Sequence, residues 1–400
     1  MALEPVPTRQ RLLTLDVLRG LALGGVLMGN MVLYTGDWAR GGGINEGWLD
    51  EAADWFLTLF VRSKAQTLLT LLFGLGFAMQ LVRAEERGEP AAAMFVRRMA
   101  ALFGIGVLHV TLVWWGDVTW TYAVAGVGML AFLRASNRVR LLAGLCFIFV
   151  PELVSRVPEV QRVLTEVFLD RGEMRRHTRH MLTVIAGADH RELAYEHPHY
   201  ALVWCTRIYG WYFLWTLGRF LLGMIAGQRR WFARDGADHL PVFRRLALGG
   251  GAASVVFSTL SVLHDRAVLD YQALGLTGRL LATFVHEVAL LATSLAYAGI
   301  VVLLLQRATW RRLLGLVAPA GRMPLTTYVS QSVICTFLFY GWGLGWSGQV
   351  SIAGTVGLSL AIFAVQVVVA HLWLRAFQFG PLEWVWRTVV YLKPQPMRIR

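Results

Sequence analysis

Long apolar runs separated by short arginine-bearing stretches organise this chain. The runs fall at 12–34, 55–82, 95–114, 117–134, 140–155, 200–228, 242–263, 279–305, 322–342 and 350–377. Crossing the hydrocarbon core of a bilayer takes about 20 predominantly apolar helical residues. The pattern therefore predicts an all-α, polytopic transmembrane helical bundle of about ten spans. The polar punctuation alternates in kind. Arg9 and Arg11, Arg83 to Arg98, Arg134 to Arg140, Arg229 to Arg245, Arg307 to Arg312, and Arg387 with Lys393 and Arg398 fill every second connection. The segment 35–54 is mainly acidic, and 343–349 carries no charge. An excess of Arg and Lys marks cytoplasmic loops, which predicts both termini in the cytoplasm.

One segment breaks the alternation. Residues 156–199 fall outside on this topology yet carry seven arginines, from Arg156 to Arg191. Val160, Leu164, Val167 and Phe168 recur there at helical spacing, which predicts an amphipathic stretch along the membrane surface. The organisation expected is one integral-membrane domain over 1–400. Within it, N-terminal helices span 1–155, the outer amphipathic segment spans 156–199, and C-terminal helices span 200–400.

Composition narrows the class. The chain is 56% hydrophobic and only 16% charged, with a formal net charge of +13. That charge does not make a nucleic-acid partner, because the arginines sit where topology needs them. The expected partner is the lipid bilayer; the sequence leaves open a homodimer. Cys146, Cys205 and Cys335 are odd in number and lie in apolar runs, so they form no disulfide framework. The first span serves as its own uncleaved insertion signal.

Ionisable side chains inside such spans are costly and mark functional or pairing positions. Asp16, Arg19 and Asn30 fall within an arc of roughly 60° on one helix face, flanked by Gly20 and Gly24 at small-xxx-small spacing. They turn toward the bundle, as a functional stripe or as an ion pair that only fixes packing. Lys64 is placed roughly 13 Å into the second span, where it pairs, binds an anion or snorkels. His109 and Asp117 meet across a tight outer hairpin, giving an oriented general base or a satisfied core histidine. Glu287 lies about 12 Å into the eighth span and is expected to pair with Lys64 or Arg207. HEVAL lacks the second histidine of a zinc-protease helix. His177, His180, His190, His197 and His199 accompany Asp189, Glu192 and Glu196 at irregular spacings, so no metal is expected. Two groups result: an inner one of Asp16, Arg19, Arg97 and Arg322, and an outer one of Asn30, Lys64, His109, Asp117 and Glu287. Thr326, Thr327, Ser330 and Gln331 on the ninth span would extend between them.

Several stretches together resemble the YeiB family, bacterial polytopic membrane proteins described as a domain of unknown function. These are LDVLRGLALGGVLMGN, KAQTLLTLLFGLGF, the RR…G…LH…WWGD…YA run at 97–123, AGRMPLTTYVSQS at 320–332 and GPLEWVWR at 380–387. The likeness covers most of the chain apart from 156–199 and implies a bacterial cytoplasmic (inner) membrane location. The opening Asp-x-x-Arg-Gly is similar, more distantly, to the start of the transmembrane acyltransferase superfamily, which includes the heparan-α-glucosaminide N-acetyltransferases. That likeness implies an acyl-CoA donor taken from the cytoplasm and a small-molecule, glycan or lipid acceptor on the far side. The sugar-decorating branch carries a histidine where this chain has Asn30. The N-acetyltransferase branch keeps the asparagine but has a histidine in the first outer loop, and this loop has none.

The base must then come from elsewhere, and His109 is the first candidate, oriented by Asp117 or Glu287. Arg19, Arg97 and Arg98 would bind the CoA phosphates at a mouth shared with Asp16 and Arg322. Lys64 or Asn30 would stabilise charge on the thioester oxygen. Two other classes stay open. One is a transporter or exporter of a small anionic or lipid-like solute, with Lys64 and Glu287 marking the path. The other is a lipid-binding protein without turnover.

Overall fold

The computed structural model describes residues 12–37, 43–45, 47–86, 88, 91–168, 171–203 and 212–399. Arg9, Arg11, Arg87, Cys205 and Arg207 lie outside the described residues. Within them the regular elements are helical: α1 (Leu13–Tyr34), α2 (Trp48–Phe56), α3 (Lys64–Glu86), α4 (Ala91–Leu112), α5 (Thr119–Gly128), α6 (Asn137–Val154), α7 (Pro158–Phe168), α8 (Arg171–Ala186), α9 (His190–Val203), α10 (Tyr212–Gln228), α11 (Leu240–Asp265), α12 (Gly275–Leu305), α13 (Ala308–Gly315), α14 (Ala318–Arg322), α15 (Pro324–Phe339), α16 (Ile352–Ala376) and α17 (Pro381–Tyr391). Among the described residues each apolar run of the sequence is mostly helical. Six helical stretches are long and apolar enough to cross a membrane: 13–34, 48–84, 92–112, 233–265, 275–305 and 352–376. The remaining runs give shorter helices, among them α10 with 17 residues and α15 with 16.

The helices approach through glycine. A Cβ on Gly74 would lie 2.0 Å from the Phe220 carbonyl oxygen, and one on Gly223 would lie 2.0 Å from that of Leu71. The backbones of α3 and α10 therefore touch, as small residues allow where lipid supplies no hydrophobic drive. Gly20 and Gly24 play the expected part on α1: added methyls would meet the Val317 carbonyl oxygen at 2.4 Å and the Phe363 ring at 2.9 Å.

At Gly321 on α14, a Cβ would stand 1.8 Å from the Asp16 carbonyl oxygen. Gly321→Ala is thus expected to force α1 and α14 apart and to destabilise the protein by about 1–3 kcal/mol. Gly104→Ala, where nothing lies within 4 Å, should be neutral or slightly stabilising. Thermal unfolding of the two variants in detergent tests this; equal melting temperatures would refute the contact.

Two expectations change here. The chain interrupts its second run with a π-helical turn, Leu57–Val61, followed by Ser63 at φ 61°. Lys64 therefore opens α3, and its ammonium donates to the carbonyl of Thr58 in that turn. The Lys64 side chain is buried and held by that turn. The segment 171–203 also differs. Met181, Val184, Ile185, Leu193 and Tyr200 bury themselves against Trp114, Trp115, Tyr328 and Tyr340 of the bundle. The Gly341 amide donates to the Ile185 carbonyl at 2.9 Å. So α8 and α9 form a docked cap rather than a surface float. Only α7 keeps the amphipathic, exposed character expected of the region, and the side chains of 164–168 lie outside the described residues.

Candidate functional site

A cavity of about 410 Å³ opens among α1, α3, α4, α5, α15 and α17. Connectivity orders its two ends. The start of α1, the end of α3 and the start of α4 lie at one end of the bundle, and they bring Arg19, Arg83 and Arg98. Arg322 from the end of α14 and Arg387 from α17 complete a ring of guanidiniums around the same hollow. Five arginines against the carboxylates of Asp16 and Glu383 leave this wall strongly cationic. Beyond them the wall is apolar, with Leu69, Leu72, Phe73, Phe77 and Leu102, and it ends on Thr119, Tyr122 and Tyr328.

Local bonds fix the wall. Asp16 accepts from Arg19 at 3.2 Å, one helical turn along α1. The Arg98 guanidinium lies 4.3 Å from the centroid of the Trp386 ring, while the Trp386 indole donates to the Arg98 carbonyl at 3.1 Å. Glu383 accepts from the Leu325 amide at 2.6 Å, the Thr326 amide at 3.1 Å and the Thr326 hydroxyl at 2.6 Å. It thereby caps the first turn of α15, which begins at Pro324 and has no side-chain cap of its own. Burial pushes the Glu383 carboxyl above its ordinary range, and these hydrogen bonds pull against that shift. The stretches AGRMPLTTYVSQS and GPLEWVWR thus meet at one carboxylate.

Behind the apolar end sits the histidine pair. The turn between α4 and α5 folds Asp117 back onto His109, with 2.8 Å between His109 Nδ1 and Asp117 Oδ1. The other carboxylate oxygen accepts from the Thr119 amide at 3.0 Å and its hydroxyl at 2.7 Å. Both side chains are buried, and His109 Nε2 has no hydrogen-bond partner. Thr119 and Tyr328 are the links to the cavity. Thr119 bonds Asp117, and the Tyr328 ring meets the His109 ring edge-on with centroids 5.5 Å apart. The geometry is that of a general base with one nitrogen oriented by a carboxylate and the other available.

The structure gathers Asp16, Arg19, Arg98 and Arg322 at the cavity, and pairs His109 with Asp117 behind Thr119 and Tyr328 without either of the pair lining it. It does not bring the other expected residues there. Arg97 is exposed and does not line the cavity, because neighbouring helix positions point about 100° apart. Asn30 is half-buried and does not line the cavity, nor does Lys64. Glu287 pairs inside the bundle, but with Arg219 at 2.9 Å and the Trp215 indole at 3.2 Å, rather than with Lys64. It therefore orients Arg219 and not His109. The polar line of the ninth span is consumed sideways: Gln331 bonds Gln366 at 3.1 Å, and Gln366 in turn bonds the Thr327 carbonyl at 3.0 Å. Among the described residues no group of three metal-type side chains comes together. Arg83, Arg387, Glu383 and Tyr328 join the wall through tertiary packing, which local sequence pattern does not signal.

Fold and site together define a helical membrane protein with an arginine-mouthed internal cavity leading to a buried His–Asp pair. Residues 226–393 match the family described as "Protein of unknown function (DUF418)". The chain is 29% identical to the uncharacterized protein YxaH of Bacillus subtilis (strain 168), covering 99% of this chain and 98% of that one. It is 25% identical to the uncharacterized protein YeiB of Escherichia coli (strain K12), covering 94% and 96%. The chain is thus similar to these proteins over nearly its whole length, and its C-terminal part matches the domain of unknown function. No solved structure matches it.

Proposed function

We propose that this protein transfers an acyl group from a cytoplasmic acyl-CoA to a hydroxyl or amine acceptor presented from the outer side of a bacterial inner membrane. In this reading the ten helical runs cross the bilayer and both termini face the cytoplasm, so that the arginine ring opens inward. The observation that carries the reading is the single cavity wall running from five arginines to Thr119 and Tyr328, which touch the His109–Asp117 pair. Its volume of about 410 Å³ lies within the range of small-molecule sites, roughly 300–1,000 Å³. Guanidiniums suit the phosphates of CoA, and the apolar stretch suits a pantetheine arm and an acyl chain.

The step balances without a further reagent. The acceptor oxygen or nitrogen bonds to the thioester carbonyl carbon, and the carbon–sulfur bond breaks. The acceptor's proton passes to His109 Nε2 and from there to the leaving sulfur, which departs as CoA thiol. Asp117 holds the imidazole so that Nε2 faces the acceptor.

Donor binding is tested by calorimetry with acetyl-CoA and palmitoyl-CoA on purified protein. Arg98→Ala and Arg322→Ala are each expected to weaken binding about tenfold, near 1.4 kcal/mol. Arg97→Ala, off the cavity, should leave it unchanged. Absence of acyl-CoA affinity in the native protein would remove the reading. Solute flux in proteoliposomes without covalent change would favour a transporter in its place.

A further inference from the structure

Positive charge in the guanidinium ring outruns the carboxylates beside it. Glu383 is committed to the first turn of α15, where it accepts from Leu325 and Thr326. Asp16 accepts from Arg19. Among the described residues no ion pair joins Arg98 to a carboxylate; its charge senses Arg387, Arg19 and Tyr391. Guanidiniums gathered this way repel one another, and an anion among them removes that cost.

Two of these arginines are held in a similar manner. Arg98 Cζ lies 4.3 Å from the centroid of the Trp386 ring, and Arg387 Cζ lies 4.4 Å from that of Phe379. Stacking on an aromatic ring uses the plane of a guanidinium, whereas phosphate is recognised along its N–H edge. Past the ring the cavity wall turns apolar, with Leu69, Leu72, Phe73 and Phe77. A small water-soluble anion would leave that part unfilled. The lining as a whole fits an amphiphile, with a phosphate at one end and a hydrocarbon chain at the other.

A source of such amphiphiles adjoins the cavity wall. Helix α17 follows α16, whose 25 residues are long and apolar enough to cross a membrane. It therefore starts where a span ends. Its two faces differ. Glu383 and Val390 turn inward and are buried, and Trp386, Arg387 and Tyr391 line the cavity. Val385, Val389 and Leu392 recur at spacings of four and three, opposite the inward set at about 100° per residue. They are 42%, 50% and 74% exposed. Arg375 at the end of α16, and Lys393 and Arg398 after α17, are exposed as well. An apolar stripe with basic flanks is the make-up of a helix lying in the surface of an anionic leaflet. One helix, about 10 Å thick, thus separates lipid from the guanidinium ring.

We propose that the ring is a binding site for an anionic phospholipid of the adjoining leaflet, with its headgroup phosphate held by Arg98 and Arg387 and an acyl chain in the apolar part of the cavity. The proposal rests on the cavity and on α17, and it stands without the acyl-transfer reading.

The experiment gives the full chain, purified in detergent, equal amounts of dioleoyl phosphatidylglycerol and dioleoyl phosphatidylcholine. Native mass spectrometry reads the retained lipid, and thermal unfolding is followed in parallel. The native protein is expected to retain phosphatidylglycerol in about tenfold preference, because the choline cation opposes the ring. The same lipid should raise the melting temperature. Arg98→Gln should abolish the preference, while Arg97→Gln, exposed and off the cavity, should keep it. Should Arg98→Gln fail to fold, Arg387→Gln makes the same test from the other side of the site. Glycerol 3-phosphate, which has the phosphate but no chain, should neither displace the lipid nor raise the melting temperature. Equal retention of the two lipids, or a preference unchanged in the folded variants, overturns the proposal. So does glycerol 3-phosphate that replaces the lipid, by showing a free phosphate compound as the occupant. Phosphatidylglycerol held through Arg98 without any acyl-CoA affinity leaves this site standing and removes the transfer reading; acyl-CoA affinity without a lipid preference does the reverse.

Discussion

His109→Ala is expected to lower acyl transfer by about 10²–10⁴-fold while donor affinity stays within about twofold. The argument is geometric. Asp117 fixes Nδ1 at 2.8 Å, so the second nitrogen has a defined direction and no competing bond. Among the described residues no imidazole lines the cavity, and His109 meets its wall at Tyr328, so an alanine leaves the donor in place with no base beside it. Asp117→Asn is a finer probe. The amide is isosteric, but its NH₂ group cannot accept from the imidazole as the carboxylate does, and the orientation of the ring is lost; about a hundredfold decrease is expected. Transfer of labelled acetyl from acetyl-CoA, measured beside calorimetric donor binding, reads both. Undiminished turnover in folded His109→Ala would end the assignment of the base.

The second large effect concerns stability. Arg219 and Glu287 form an ion pair whose side chains are 0% and 7% accessible. The Arg219 guanidinium also lies over the Trp215 ring, and its Nε and Nη1 have no acceptor. Desolvation of both charges consumes most of what their attraction returns, so the pair adds little net stability. Breaking it is another matter. Arg219→Met leaves a carboxylate among apolar helices and is expected to destabilise the bundle by about 3–5 kcal/mol. The double variant Arg219→Met/Glu287→Met removes both charges and should recover most of that loss. A double-mutant cycle on thermal or denaturant unfolding in detergent gives the coupling. A single variant as stable as the native protein would show that water or another cation reaches Glu287.

What could be read from the sequence was whatever depends on short separations. The apolar runs became helices because their length and periodicity leave few alternatives in lipid. Asp16 and Arg19 share a face three residues apart, and His109 and Asp117 meet eight residues apart across one turn. The partner of Glu287 was hidden because Arg219 is 68 residues away and hydropathy does not say which helices adjoin. The π-helical turn that offers Lys64 its acceptor leaves no mark in an apolar run. The cap held a usable signal: Met181, Val184 and Ile185 recur at three and four residues, the stripe of a helix with a partner. The surrounding arginines masked it, since a polar helix outside the spans reads first as solvated.

The last consequence concerns α17. Glu383 of this helix anchors the first turn of α15, Trp386 lies under Arg98, and Arg387 belongs to the guanidinium ring. One helix of 11 residues thus carries three separate ties to the hollow, so anything that displaces α17 loosens the chamber at α15, at α4 and at the guanidinium ring together.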